Sequence, residues 1–273
     1  MNNDKTALIT GASRGIGYEL ARLFAKNSYR LVLVSKSEDK LIEIQKEFLI
    51  EYKSEVIIIA KDLTLPNAAI EIFTELHNKE ITVDILVNNA GIGVFGNFND
   101  EGFRKISQIM QINIVALTEL TKLILKGMVE RKDGKILNVS SLAAFQPGPY
   151  MAVYYASKAY VQSFSEAIAC ELKGTGITVT TLCPGPTKSG FQFDVGSENS
   201  IISKLHFLSS AEDVAEYAYK ELHAGKIIAI PGFFNTSIAY VAKIIPRKTG
   251  ARIIRKLQEF NRNEKIVKKY HRK

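Results

Sequence analysis

Several features that would assign this chain to a common class are scarce or missing in its sequence. It has only two cysteines, Cys170 and Cys183, which cannot form a disulfide framework, so we expect both thiols to be reduced. Its four histidines are scattered without the spacing of metal ligands. No apolar run approaches the roughly 20 residues of a membrane span, and the first residues, MNNDKTALIT, do not resemble a signal peptide. These absences predict a soluble cytoplasmic protein without a metal site.

Positive charge is in excess, but it is confined to one end of the chain. The net charge is +8, and residues 243–273 hold twelve lysines and arginines against two acids, Glu259 and Glu264. The other 242 residues therefore carry a net charge of −2. A nucleic-acid-binding domain usually spreads its basic surface over the body of the fold. We therefore expect no nucleic acid partner and interpret residues 232–273 as a basic helical C-terminal extension.

Short apolar runs alternate along the chain with longer amphipathic stretches. The runs are rich in valine, isoleucine and leucine without polar–apolar alternation, which is typical of strands buried on both faces of a sheet. The predicted strands are 6–10, 30–35, 55–60, 84–89, 134–141, 177–184 and 226–231, and the predicted helices are 15–27, 38–52, 67–79, 102–131, 152–173 and 211–224. This order predicts an α/β fold with a doubly wound parallel sheet of about seven strands flanked by helices. We expect one domain over residues 1–231.

The segment TGASRGIG, residues 10–17, lies between the first predicted strand and the first predicted helix. Gly11, Gly15 and Gly17 fall where the chain turns from strand to helix, and the lack of a side chain lets the backbone approach a ligand closely. The helix N-terminus that follows offers N–H groups and a partial positive charge to a pyrophosphate. Tight turns need glycine in any case, so it is the place after the first strand that favours nucleotide binding.

A tyrosine and a lysine are spaced one helical turn apart in VYYASKAYVQSF, residues 153–164. Tyr154 and Lys158 would lie on the same helix face, whereas Tyr155 would point about 100° away and is interpreted as a packing residue. An ammonium group beside a phenol stabilises the phenolate, which lowers the pKa of the tyrosine toward a value suited to proton transfer. Taken alone, the pair is also compatible with an ordinary helix.

Together with four further motifs, these two segments resemble the single-domain branch of the short-chain dehydrogenase/reductase family. The motifs are TGxxxGxG at 10–17, NNAG at 88–91, Asn113, Ser141, YxxxK at 154–158 and PG at 184–185, and the resemblance covers residues 5 to about 231. It implies a Rossmann-type fold, a nicotinamide cofactor and a homo-oligomer, either a dimer or a tetramer.

The resemblance also implies roles for the catalytic residues. Tyr154 would be the proton donor, and Lys158 together with the positive nicotinamide would lower its pKa. Ser141 would hold the substrate oxygen, while the neighbouring Ser140 should point to the other face of its strand. Asn113 would fix a water that contacts the lysine and completes a proton relay.

The end of the second predicted strand bears on the choice of cofactor. An acidic residue there selects NAD, and a basic one favours the 2′-phosphate of NADP. Ser35 stands at the usual acidic position, Lys36 follows it, and Arg14 in the glycine loop supplies a second cation. We therefore predict NADP(H) in preference to NAD(H), although Glu38 and Asp39 are close by and both cations could simply be solvated.

The expected cofactor contacts extend along the same edge of the predicted sheet. The resemblance assigns Asp62 to the adenine and Thr187 to the nicotinamide carboxamide. The full set of expected contacts is Gly11, Ser13, Arg14, Gly15, Ile16, Gly17, Ser35, Lys36, Asp62, Leu63, Asn89, Ala90, Gly91, Tyr154, Lys158, Pro184, Gly185 and Thr187.

Loops expected beyond the C-terminal ends of the strands, where ligands of such sheets bind, are rich in apolar side chains. Residues 91–98, 142–151 and 191–208 contain Phe95, Phe98, Phe145, Tyr150, Met151, Phe191 and Phe193. We interpret them as a pocket for a hydrophobic ketone or aldehyde, such as a lipid-like or 3-oxoacyl substrate. Apolar anchors of ordinary loops would give the same composition. Gly190 and Gly196 bracket a candidate lid.

The leading hypothesis is thus an NADPH-dependent carbonyl reductase. The alternatives are a non-catalytic nucleotide-binding sensor or scaffold, a lipid-surface binding protein on the same fold, and a sugar-nucleotide epimerase, for which the larger substrate domain is lacking. The extension is open to two interpretations: a basic amphipathic element in peripheral contact with a membrane, or helices packed on the domain or a partner subunit.

Overall fold

A seven-stranded parallel sheet forms the centre of the fold in the computed structural model, which describes residues 4–191 and 209–270. The strand order is β3-β2-β1-β4-β5-β6-β9. The strands are β1 (Thr6–Thr10), β2 (Arg30–Ser35), β3 (Val56–Ala60), β4 (Ile85–Asn88), β5 (Gly134–Val139), β6 (Ile177–Leu182), β7 (Thr187–Lys188), β8 (Ser209–Ser210) and β9 (Ile228–Ala229). The predicted doubly wound parallel sheet is confirmed.

Helices cover both faces of the sheet. They are α1 (Gly15–Lys26), α2 (Glu38–Tyr52), α3 (Ala68–Asn78), α4 (Phe103–Met110), α5 (Leu117–Arg131), α6 (Ala152–Glu171), α7 (Ala211–His223), α8 (Phe233–Ile244) and α9 (Arg247–Tyr270). Neighbouring residues of β1 pack into hydrophobic cores on opposite faces of the sheet. Ile9 packs with α1, α2 and α7, whereas Leu8 packs with α3 and α5. The continuous apolar strands are therefore explained by burial on both faces.

The strand order determines where a ligand can bind. After β1 the chain builds β2 and β3 on one side, then crosses to add β4, β5 and β6 on the other. In such sheets ligands bind in the crevice at this reversal, beyond the carboxyl ends of the strands. The glycine loop (residues 10–17), which follows β1, and the NNAG segment, which ends β4, meet at this crevice.

The single helix predicted over 102–131 is divided in the structure. α4 ends at Met110, a π-helical segment spans Gln111–Ala116, and α5 begins at Leu117. Such π segments form single wide turns and are frequent at functional sites. The sequence pattern did not reveal this one because apolar residues on both sides of it keep helical spacing.

Two short strand features also differ from prediction. The strand predicted over 226–231 is reduced to Ile228–Ala229 at the sheet edge, just before Pro231, which has no N–H to donate to a ladder. β7 and β8 form a separate parallel pair that joins Thr187 to Ser209 and Lys188 to Ser210. Strands of two residues have no periodicity that a sequence pattern can detect.

The C-terminal extension forms two helices that contact the domain. Ile245, in extended conformation before Pro246, separates α8 from α9, because the residue before a proline disfavours the helical region. Ala239, Ile254 and Gln258 are buried. Within the described residues, no helix is both long and apolar enough to span a bilayer.

Candidate active site

The glycine loop is held tightly against the end of β4. Gly11 has a φ of 65°, and a Cβ there would lie 2.9 Å from Ala90 Cα and from Asn89 Nδ2. A Cβ on Gly17 would overlap the Gly11 carbonyl oxygen and Asn89 Nδ2. Asn89 Nδ2 donates hydrogen bonds to the carbonyl oxygens of Thr10 and Gly11, at 3.0 and 3.1 Å. Glycine is therefore required at both positions to keep the loop in place.

The residues present fit a dinucleotide. The N-terminus of α1 lies at the crevice, directly after the glycine loop. The side chain of Arg14, the N-cap residue of α1, makes no capping hydrogen bond to the helix. Gly15 has a φ of 58°, and a Cβ at this position would lie only 2.9 Å from Ser189, so a larger residue would not fit. An uncapped helix N-terminus behind a glycine turn is a favourable environment for a pyrophosphate.

At the end of β2, the position where an acidic residue would select NAD is occupied by Ser35, and Lys36 follows it. Ser35 Oγ donates to Ser13 Oγ at 3.0 Å, which ties the glycine loop to the end of β2. Lys36 follows and is exposed, as is Arg14. Glu38 lies in the first turn of α2. The structure thus brings Ser13, Ser35 and Lys36 to one edge of the crevice.

After β3, Asp62 forms a local turn. Its Oδ1 accepts hydrogen bonds from the backbone N–H and the hydroxyl of Thr64, at 2.9 and 2.8 Å. Leu63 is buried. The Asp62 carboxylate is partly buried and positioned by this turn.

Tyr154 and Lys158 lie on the same face of α6, as their spacing predicts. Lys158 Nζ is 5.9 Å from the centroid of the Tyr154 ring. It also donates a hydrogen bond to the Val139 carbonyl oxygen at 2.8 Å. Burial lowers the pKa of Lys158 to about 8, because removing the ammonium from water destabilises its charged form.

The predicted lowering of the Tyr154 pKa depended on Lys158 and the nicotinamide together, and the chain alone shows the opposite direction. Burial raises the pKa of Tyr154 to about 12, while a hydrogen bond with the Ser141 side chain acts in the opposite direction. The desolvation of the phenol is the larger effect, and the ammonium is directed to the Val139 carbonyl. The chain alone therefore presents Tyr154 as a neutral phenol.

Ser140 and Ser141 follow β5, which ends at Val139 and not at the predicted residue 141, and they are directed to different partners. Ser141 Oγ accepts a hydrogen bond from the Ala143 N–H at 3.1 Å and contacts Tyr154. Ser140 Oγ donates to the Lys158 carbonyl oxygen at 2.7 Å, within the core. Ser141 is thus the serine on the side of the Tyr154 hydroxyl.

Asn113 lies in the π segment and has a full set of hydrogen-bond partners. Its Oδ1 accepts from the Ile92 N–H, and its Nδ2 donates to the Ile92 carbonyl oxygen and to Ser157 Oγ, each at 2.9 Å. A Cβ on Gly91 would lie 3.3 Å from both Asn113 Oδ1 and Lys158 Nζ. The structure therefore brings the side chains of Asn113 and Lys158 together beside Gly91.

The segment after β6 closes the site from the other side. The Pro184 carbonyl oxygen accepts from the Leu142 N–H at 3.0 Å. Thr187 is buried, and its hydroxyl donates to the Gly185 carbonyl oxygen at 2.9 Å. Thr187 is also the first residue of β7 and is fixed there by pairing with Ser209.

Two positioning residues were missed by sequence reasoning. Thr10 Oγ1 accepts from the N–H groups of Asn89 and Ala90, both at 3.1 Å. Ser157 Oγ accepts from Asn113 and donates to the Tyr154 carbonyl oxygen at 2.7 Å. Thr10 is the first fixed letter of TGxxxGxG, but the motif assigned it no contact, and Ser157 occupies a variable position of YxxxK.

One aromatic residue of the predicted substrate loops packs against Tyr154, and two others pack against each other. The ring centroid of Tyr154 lies 5.3 Å from that of Phe191, and the rings of Phe95 and Tyr150 are 6.2 Å apart. Met151 is buried, whereas Phe98 is 66% exposed and contributes little to an enclosed wall. The predicted Phe193 and the lid boundary at Gly196 lie outside the described residues.

Tyr155 links α6 to the C-terminal extension. Its ring centroid is 6.1 Å from that of Tyr154, and a Cβ on Gly148 would overlap the Tyr155 ring. Burial raises the pKa of Tyr155, and a hydrogen bond with Gln258 of α9 acts against that rise. The interpretation of Tyr155 as a packing residue agrees with these contacts.

Known proteins resemble this chain over most of its length. Residues 5–200 match the family described as short chain dehydrogenase. The ketoacyl reductase HetN of Nostoc sp. is 33% identical over 219 residues, which cover 80% of this chain and 75% of that protein. The very-long-chain 3-oxoacyl-CoA reductase of Rattus norvegicus is 37% identical over 183 residues, which cover 65% of this chain but only 58% of that protein.

Solved structures share the same architecture. A short-chain dehydrogenase from Sphingobium yanoikuyae in complex with NADPH has a TM-score of 0.78 at 26% identity, and the match covers 89% of this chain and 96% of that chain. A structure of 7β-hydroxysteroid dehydrogenase has a TM-score of 0.83, and the match covers 93% of this chain and 99% of that one. At 23% sequence identity, this match shows a shared fold only.

Proposed function

The chain belongs to the short-chain dehydrogenase family, an oxidoreductase family that uses NAD(P), and from that premise we propose that it reduces a hydrophobic ketone or aldehyde with NADPH. The reaction is reversible and converts a carbonyl, NADPH and a proton to an alcohol and NADP⁺. The observation that carries the proposal is the placing of Tyr154, Lys158 and Ser141 around one point beside the crevice.

In this proposal, side chains of the protein donate the proton and bind the substrate oxygen. Tyr154 stays protonated in its buried setting and donates its hydroxyl proton to the carbonyl oxygen. Ser141 donates a hydrogen bond to the same oxygen and stabilises its developing negative charge. Lys158 supplies a nearby positive charge, which favours the phenolate left after proton transfer.

Asn113 and Ser157 act by positioning. Asn113 holds Ile92 through both of its side-chain groups, and Ser157 connects Asn113 to the backbone of Tyr154. These bonds fix the NNAG segment against the catalytic helix. We propose that a water next to Asn113 and Lys158 returns the proton to Tyr154 from solvent.

The cofactor, when bound, would supply the hydride, and the glycine loop, Asn89, Asp62 and Thr187 would hold it. The proposed preference for NADPH is supported by Lys36 and Arg14 at an edge where Ser35 replaces an acid. The NADPH complex of the Sphingobium yanoikuyae relative supports it as well.

The proposed substrate is an acyl chain or another bulky apolar carbonyl compound. Support comes from Phe191, whose ring packs against Tyr154, and from the Phe95–Tyr150 ring pair in the loops after β4 and β5. Two relatives are named for ketoacyl and 3-oxoacyl-CoA reduction. A 3-oxoacyl thioester is therefore the first substrate class to test.

The test is NADPH oxidation, followed at 340 nm, with 3-oxoacyl thioesters of increasing chain length, bulky ketones and short aldehydes. We expect turnover that rises with chain length, and Tyr154→Phe should lower kcat at least about a hundredfold while NADPH binding is kept. Tyr155→Phe is the matched control, since it removes a hydroxyl from the neighbouring residue. The proposal fails if Tyr154→Phe and Tyr155→Phe reduce kcat equally, or if no carbonyl compound is reduced although NADPH binds.

A further inference from the structure

One face of α8 exposes large apolar side chains. Phe233, Phe234, Val241 and Ile244 are 89, 68, 53 and 83% exposed. At 3.6 residues per turn these four side chains project from one half of the helix, opposite the buried Ala239. We call these four residues the α8 apolar face. A cluster of this kind on one helix marks an interaction surface.

The surroundings of this face carry positive charge without negative charge. Lys243, Arg247 and Lys248 are exposed at the end of α8 and the start of α9, within four residues of Ile244. Arg252 and Lys256 are exposed further along α9. The sequence has no aspartate or glutamate between Glu221 and Glu259. An apolar face bordered by cations is complementary to a surface that is apolar inside and anionic outside.

We propose that the α8 apolar face docks onto an anionic lipid bilayer. Phe233, Phe234 and Ile244 enter the boundary between headgroups and acyl chains, and Arg247 and Lys248 contact lipid phosphates. A second copy of the chain fits less well, because a twofold contact places the same patch of each subunit together and would bring the acid-free cationic segments face to face.

The docked orientation places the substrate side of the domain near the lipid. Lys243 Nζ lies 5.5 Å from the centroid of the Phe145 ring, in the segment 142–151. Gly250 of α9 approaches Gln146, whose Oε1 would lie 3.5 Å from a Cβ on that glycine. α8 and α9 therefore adjoin a loop that borders Tyr154. The docking itself is independent of the proposed reaction and is tested without it.

The test is co-sedimentation of the full chain with vesicles of phosphatidylcholine alone or with 30% phosphatidylglycerol. We expect binding to the anionic vesicles that weakens as NaCl rises from about 0.05 to 0.5 M. Phe233→Ser with Ile244→Ser should lower the apparent affinity at least about tenfold. Arg247→Gln with Lys248→Gln should lower it about twenty-five-fold, since each cation near an anionic surface contributes about fivefold.

Matched controls come from the opposite edge of the sheet. Ile50 of α2, beside the edge strand β3, is 73% exposed, and Lys40 and Lys46 on the same helix are exposed. Ile50→Ser, and Lys40→Gln with Lys46→Gln, should leave vesicle binding within about twofold of the unsubstituted chain. Equal loss in the α8 and α2 variants would overturn the proposal.

A second readout does not depend on removing any side chain from the core. The sequence has no tryptophan, so Phe234→Trp introduces a single reporter on the α8 apolar face. We expect a blue shift of its emission with anionic vesicles and quenching by brominated lipid, and neither effect for Ile50→Trp. Absence of both effects, or of sedimentation, overturns the proposal. It is also overturned if Phe233→Ser with Ile244→Ser changes the oligomeric state in light scattering without lipid, because a second copy then covers the face.

Discussion

Replacing Lys158 by methionine should make the folded protein more stable while abolishing most turnover. The ammonium is almost fully buried, and its pKa falls from 10.5 to about 8, which corresponds to about 3 kcal/mol of unfavourable free energy in the folded state at pH 7. Methionine has a similar length and no charge to desolvate. It leaves the Val139 carbonyl oxygen without its 2.8 Å partner, a loss of about 1 kcal/mol. The net expectation is a gain of about 2 kcal/mol.

The pH dependence follows from the direction of this shift. Below pH 8 the lysine is protonated in both folded and unfolded states, so the full penalty applies. Between about pH 8 and 10.5 the folded state releases its proton while the unfolded state keeps it, and stability rises with pH. The advantage of Lys158→Met should therefore be largest at pH 7 and shrink toward pH 10.

Urea unfolding at pH 7, 8.5 and 10, followed by circular dichroism, measures this difference. Lys40→Met, at an exposed position of α2, is the control and should change stability by less than about 0.5 kcal/mol. In Lys158→Met, kcat for carbonyl reduction should fall at least about a hundredfold, whereas Lys40→Met should leave it unchanged. The reasoning is refuted if Lys158→Met is no more stable than the unsubstituted chain at pH 7, or if its advantage does not change with pH.

Three further changes test the cofactor crevice and the junction with the extension. Gly17→Ala places a Cβ onto the Gly11 carbonyl oxygen and should raise the Kd for NADPH at least about tenfold in a fluorescence titration; an unchanged Kd would contradict the tight fit of the loop. Lys36→Asp should reverse the cofactor preference, with kcat/KM for NADPH falling about a hundredfold relative to NADH, and equal losses for both cofactors would argue against a role in selectivity. Gln258→Leu leaves the Tyr155 hydroxyl without its partner and should cost about 1–3 kcal/mol in urea unfolding, whereas no change would show that α9 is not held by this bond.

The sequence was most informative where the signal is local. The strand bounds at 6–10 and 30–35 and the helix at 38–52 agree with the structure, because each is a continuous apolar run or a helical repeat with clear ends. The pairing of Tyr154 with Lys158 was equally accessible, since four residues in a helix make one turn. The catalytic and cofactor roles themselves came from the family motifs and stay predictions.

The remainder depends on contacts between distant parts of the chain. Thr10 supports Asn89 across two strands, and Gln258 reaches Tyr155 from the end of the chain; no spacing rule connects such pairs. The pKa of Tyr154 was predicted to fall under the joint charge of Lys158 and the nicotinamide; in the chain alone burial raises it, because burial is a property of the assembled site. The burial of a side chain in the folded protein cannot be predicted from a short sequence motif.

The π-helical turn at Gln111–Ala116 makes the site sensitive to the number of residues in its supporting helix. Each i→i+5 bond encloses one residue more than an α-helical bond, so the segment accommodates an extra residue between α4 and α5. Deleting one residue there would let a regular helix run from Phe103 to Arg131, with Leu120 and Ile124 still in the core. Asn113 would turn by about 100° away from Ile92 and Ser157. A protein shortened by one residue would keep its architecture but lose the side-chain hydrogen bonds that join the NNAG segment to α6.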